Sequence, residues 1–150
     1  MDLRLRQPDL TTAVLGRVYA IHYREPITLD CAQRAQQDFQ DRGQAAPLVL
    51  VIERPFPLPS TEVRAHWLVS AETGPTFEGI ALVVPRSSGG RMTSAVGYLG
   101  EQLMAARGVT LRLFWDVETA SRWLVEKFEC GLEADELGAG LEDFIDISSE

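Results

Sequence analysis

FEGIALVVPRSSGGRMTSAVGYLGEQLMAARGVTLRLFWDVETASRWLVEKF, residues 77–128, decides the fold. It reads as strand, helix, strand, helix. The apolar run 80–84 is short and unbroken, as in strands buried on both faces of a sheet. Met92, Ala95, Val96, Leu99, Leu103 and Ala106 then recur at helical spacing, which predicts a helix laid on that sheet. A second strand, 109–115, leads to Asp116, a capping residue, and to a helix whose Ala120, Trp123, Leu124 and Phe128 share a face. Gly131 is expected to close it. Strands and helices in alternation predict parallel strands joined by right-handed crossovers.

Upstream, residues 2–7 alternate Leu3 and Leu5 with charges and read as an edge strand or an ordered arm. Residues 10–15 and 18–23 are β-rich runs around Gly16-Arg17 and predict a hairpin. Pro26 ends the second run. A helix follows, capped by Thr28 or Asp30, with Ala32, Ala35 and Phe39 on one stripe and Gly43 as its stop. Pro47 opens LVLVIE, a second candidate for a buried parallel strand. The three prolines of ERPFPLPS forbid helix and ladder pairing, so a loop leaves the carboxyl end of that strand. Ser60 then caps a helix on which Val63 and Trp67 share a face, and Gly74-Pro75 ends it.

At 150 residues the chain has the length of one domain with a sizeable core. It carries no apolar run near ~18 residues and no apolar leader, which predicts neither a membrane span nor export, and hence a cytoplasmic protein. Two cysteines far apart, Cys31 and Cys130, read as reduced thiols. The net charge of -8 is unevenly placed. Residues 1–128 hold all 14 basic residues and 14 of the 22 acidic ones, so the whole surplus lies in 129–150. A neutral body with an acidic tail is a poor match for nucleic acid or an anionic membrane, because it has no surplus of cations to displace counterions.

Four pieces in this order resemble a known family: PITLDCAQ (26–33), PLVLVIE (47–53), STEVRAHW (60–67) and LRLFWDVETASRWL (111–124). Together they resemble the STAS fold of anti-sigma-factor antagonists (the SpoIIAA-like fold), and in particular its small stand-alone bacterial domains. The resemblance implies an α/β domain with a mixed, mostly parallel sheet, helices packed mainly on one face, and a non-enzymatic role in protein interaction and regulation. Members of the phosphorylation switch carry an Asp-Ser-Ser-Gly-like turn before the second helix. Here Glu53 is separated from Ser60 and Thr61 by three prolines, so the resemblance does not carry the switch over.

Two stretches could bind something. Ser60 and Thr61 stand at a helix start, where a phosphate would meet free N–H groups, although capping alone accounts for Ser60. Arg86, Ser88, Gly89, Gly90 and Arg91 follow a buried strand and could cradle an anion, although a glycine-serine connector explains them too. They lack the Gly-Lys-Ser/Thr ending of a nucleotide loop. His22 and His66 lack the companions that catalysis or metal binding would need, and are expected as partly exposed structural histidines. Trp67, Trp115 and Trp123 are expected in the core. No catalytic, metal or cofactor constellation stands out.

The acidic tail is the unusual part. Leu137, Leu141, Phe144 and Ile145 fall at i, i+4, i+7 and i+8 among its acids, the pattern of an amphipathic helix weakened by Gly138 and Gly140. Such a stripe can dock on its own body, on a sister subunit or on another protein. The division expected is a STAS-like domain over 1–131 and an acidic extension over 132–150 that docks a partner. The expected function is a protein-interaction module, with a protein or a second copy as partner. The alternative is a small-molecule or lipid-binding domain with its pocket between sheet and helices.

Overall fold

The computed structural model describes residues 1–52, 60–70, 77–84 and 110–150, with the backbone alone at 67–70. Six strands form one mixed sheet in sequential order: β1 (Asp2–Arg6), β2 (Leu10–Leu15), β3 (Val18–Tyr23), β4 (Ala46–Ile52), β5 (Phe77–Val83) and β6 (Thr110–Phe114). β1, β2 and β3 are antiparallel, and β3 to β6 run parallel. Gly16, at φ 59°, makes the β2–β3 turn predicted at Gly16-Arg17. Four helices are described: α1 (Leu29–Arg42), α2 (Thr61–Ser70), α3 (Val117–Lys127) and α4 (Ala134–Ser148). This is the α/β architecture that the alternation of strands and helices predicts.

Local chemistry accounts for the helix ends. Thr28, rather than Asp30, caps α1 through its hydroxyl, which accepts from Cys31 N at 3.2 Å, and Gly43 stops it in the left-handed conformation at φ 71°. Asp116 caps α3 by accepting from Thr119 N at 2.8 Å. That helix ends at Lys127 with Phe128 as its C-cap, short of the glycine expected to close it. Gly131, at φ 72°, instead turns the chain within the link to α4.

The strands alternate strictly between two cores. Tyr19, Ile21, Tyr23, Leu48 and Ile80 face one side and bury Cys31, Ala35 and Phe39 of α1. Val18, Ala20, Val49, Val51, Ala81 and Val83 face the other, where α3 and α4 lie. The described helices therefore cover both faces, where the resemblance implied mainly one. The chain order explains this layout. Because β3, β4, β5 and β6 are neighbours in sequence as well as in space, crossovers of one hand fall on a single face. α1 is such a crossover, and α2 packs beside it. After β6 no further strand follows among the described residues, so α3 and α4 are free of that rule and cover the opposite face.

Small residues on the second face let the backbones close in. A Cβ on Gly79 would fall 2.2 Å from Cζ of Phe128, whose ring lies over β5. Trp123 stands between Phe114 and Phe128, at centroid distances of 5.5 and 5.6 Å.

Candidate functional site

The acidic segment forms α4, and its own sheet is what it docks on. Asp135 and Glu136 sit in its first turn, where carboxylates favour the positive helix end, and Glu136 accepts from Glu133 N at 3.2 Å. Leu137, Leu141 and Phe144 are fully buried in the second core, and Ile145 packs against its rim. Residues on either side of Gly131 thus share one core. Gly140 now has a packing reason that offsets its poor helix propensity. A Cβ there would lie 2.7 Å from Cδ2 of Leu15, so a larger residue would have to push the buried Leu15 side chain aside.

The last turn of α4 is held by a polar clasp that sequence reasoning did not foresee. Arg24 donates from Nη1 to the Ser148 carbonyl and to Thr11 Oγ1, from Nη2 to the Gln7 carbonyl, and from Nε to the Pro8 carbonyl. Arg6 reaches the Ile147 carbonyl and Glu150, each at 3.4 Å. Ser148 donates to the Ile145 carbonyl at 3.2 Å, and its hydroxyl shares a hydrogen bond with Nδ1 of His22. Two guanidinium groups at a helix carboxyl end satisfy carbonyls that lack intrahelical partners and oppose the dipole. His22 is fully buried here, edge-on to Phe144, rather than partly exposed as expected. The reason is the second helical layer, which covers the face of β3 opposite α1.

A second polar hub fastens α1 to the sheet. Asp38 accepts from Tyr19 Oη at 2.5 Å, Thr12 Oγ1 at 3.1 Å and Arg4 Nε at 3.0 Å. Burial, and then the Asp38 carboxylate, push the Tyr19 hydroxyl far above its ordinary range, so it stays a proton donor. Arg34 forks between Asp9 and Asp30. That hydrogen bond from Arg34 holds the Asp9 carboxyl below its usual 3.8. A carboxyl depressed in the folded state stabilises above its unfolded value, and the stabilisation is lost as pH falls through the folded one. Urea midpoints of the wild type and Asp9→Asn are therefore expected to differ at pH 6 and to converge as pH falls below 3.8. A gap that widens on acidification would reverse the sign.

Ser60 and Thr61 are exposed at the start of α2. Ser60 Oγ accepts from Val63 N at 3.2 Å, a capping bond, and Thr61 Oγ1 accepts from Arg64 Nη2 at 3.2 Å. Ser60→Ala is expected to lower stability by ~1 kcal/mol, while Ser60→Asp, which also caps, should leave the melting temperature near that of the wild type. Arg86, Ser88, Gly89, Gly90 and Arg91 lie outside the described residues, as do the helix predicted from Met92 to Ala106 and the proline-rich loop before Ser60. The side chain of Trp67 does too. Trp123 is buried as expected, but Trp115 is 39% exposed, because Phe114 takes the inward position at the end of β6 and the next residue stands beyond the ladder.

The link into α4 borders a shallow groove of about 340 Å³ lined by Val125, Phe128, Cys130, Leu132 and the carboxylates of Glu129 and Glu133. Both cysteines are free and buried, and burial pushes the Cys130 thiol up to about 11, which keeps it protonated and unreactive. Among the described residues no three His, Cys, Asp or Glu side chains gather as a metal site. No described helix is long and apolar enough to cross a membrane. No family model, curated protein or solved structure matches the chain.

The two faces of α4 thus have different tasks. Its inner face is committed to the core. Its outer face exposes Asp135, Glu136, Glu142, Asp143 and Asp146, with no basic residue anywhere in 129–150. Among the described residues, Asp135, Glu142, Asp143 and Asp146 meet no cation. Glu142 and Asp146 are one turn apart, a spacing at which like charges repel.

Proposed function

We propose that the chain is a non-enzymatic, cytoplasmic protein-interaction module of STAS-like type, and that α4 presents its recognition surface to a basic partner protein. The observation that supports this is the outer face of α4, where Glu142 and Asp146 repel one another one turn apart and no cation among the described residues balances them. A helix made only to close a core would be more stable with lysine or arginine interspersed at i+4. A partner that supplies those cations relieves the repulsion, gains charge-assisted contacts and associates faster at low salt. The role of Leu137, Leu141, Phe144 and Ile145 in this reading is to hold that surface on the body.

The full chain is the bait for the test, beside the variant Glu142→Lys/Asp143→Lys/Asp146→Lys. These positions are exposed, so the variant should melt like the wild type. A partner retained by the wild type and lost by the variant, with release rising with salt, supports the reading. A partner held equally by both rejects it.

A further inference from the structure

Where the last turn of α3 meets the link to α4, Val125, Phe128 and Leu132 lie half-buried and floor the groove of about 340 Å³. Val125 and Phe128 are three residues apart, so both project from one flank of the helix. Phe128 is braced from below by Gly79. Three exposed carboxylates, Glu129, Glu133 and Glu136, rim that floor. Glu136 is held in place by accepting from Glu133 N at 3.2 Å. No basic side chain lines the groove, and among the described residues none of the three carboxylates meets a cation. An apolar floor under an anionic rim matches one kind of group, an alkyl stem that ends in a cation.

We propose that this groove seats an arginine side chain of the basic partner, its methylenes over Val125, Phe128 and Leu132 and its guanidinium on the carboxylates. This seat rests on the reading of α4 as the recognition surface, whose first turn it adjoins, and it names the partner's anchoring residue. The size suits one long side chain, because pockets for whole small ligands span ~300–1,000 Å³ and this one stands at the lower end. A bare divalent cation is a poor occupant. The apolar floor offers it no oxygen ligands, and among the described residues no three metal-ligating side chains gather. Arginine fits better than lysine, since its planar, weakly hydrated head stacks on an aromatic ring such as that of Phe128 while donating to carboxylates. The positive end of the α4 dipole opposes any cation here, but it amounts to about half an elementary charge against three carboxylates.

The test titrates the isotope-labelled full chain at ~0.1 M salt with acetyl-Gly-Arg-Gly-amide and with its citrulline counterpart, and follows the amide resonances. The arginine peptide should give saturable shifts confined to residues 125–136, at roughly millimolar affinity. Citrulline keeps the shape without the charge and should give none. Glu129→Gln with Glu136→Gln should weaken the arginine peptide by about tenfold or more. Asp143→Asn with Asp146→Asn removes the same charge at least ~10 Å further along α4, and should weaken it by about twofold at most. Glutamine at 136 can still accept from Glu133 N, so circular dichroism melts of both variants should match the wild type. Shifts that never saturate, that spread evenly along α4 or that citrulline reproduces overturn the seat, as does a rim variant that binds unchanged. Failure of the α4 reading looks different: a partner held equally by the wild type and the outer-face lysine variant, beside an arginine peptide still seated in the groove.

Discussion

Leu141→Asp with Phe144→Asp is expected to unfold the whole chain and not merely to release α4. Both side chains are fully buried on the second face of the sheet, among Val18, Ala20 and Trp123. Removing a large apolar side chain from such a site costs ~2–5 kcal/mol, and a carboxylate left there without a partner adds more. Two such changes together are comparable to the ~5–15 kcal/mol that holds an ordinary domain. Releasing the helix is no escape, because it would uncover Ala13, Leu15, Val18 and Ala20 on β2 and β3. The double variant should lose its cooperative melt and near-ultraviolet dichroism. In the wild type, amides from Leu137 to Ile145 should exchange as slowly as those of β3 and β4. Rapid exchange across α4 beside slow strands would show a loosely held helix. So would a double variant that keeps a sharp melt.

Trp123→Ala comes next in size. The indole is 7% exposed and fills the space between Phe114 at the end of β6 and Phe128 over Gly79. Neither ring can collapse into the void, since one is fixed by its strand and the other by its contact with the glycine. A loss of ~3–5 kcal/mol is expected. For a domain of this length that lowers the melting temperature by about 10 °C or more. A shift of one or two degrees would mean that α3 is not wedged on the sheet as described.

Local pattern carried much of this fold. Thr28 and Gly43 mark the ends of α1 in the sequence, and Leu137, Leu141 and Phe144 mark the buried stripe of α4 in the right phase. What periodicity could not supply was the partner of that stripe. The surrounding acids suggested a segment able to leave the body, yet solvent reaches them on the far side of the helix while the stripe faces the sheet. His22 misled in the same way. An alternation argument assigns it to a wet face only if that face is wet, and the covering helix lies more than a hundred residues later. The clasp of Arg24 on Ser148 and the hub of Tyr19, Thr12 and Arg4 on Asp38 join residues whose meeting depends on the finished sheet. The acidic outer surface was legible from charge alone, because charge is a property of composition and burial is not.

The contact between Arg6 and the last turn of α4 spans 141 residues of chain. A link that distant forms late, because a long loop must close before the contact repays its entropy. During synthesis, β1 to β6 emerge with one face unshielded, and it remains so until the ribosome has released residues 117–148. At ~5–20 residues per second that interval lasts several seconds. Throughout it a sheet edge and a carpet of valine and alanine are open to collision with other nascent chains. This helix serves the protein in time as well as in space: its acids bring repulsion and solubility to the nascent chain just as its apolar stripe closes the exposed face.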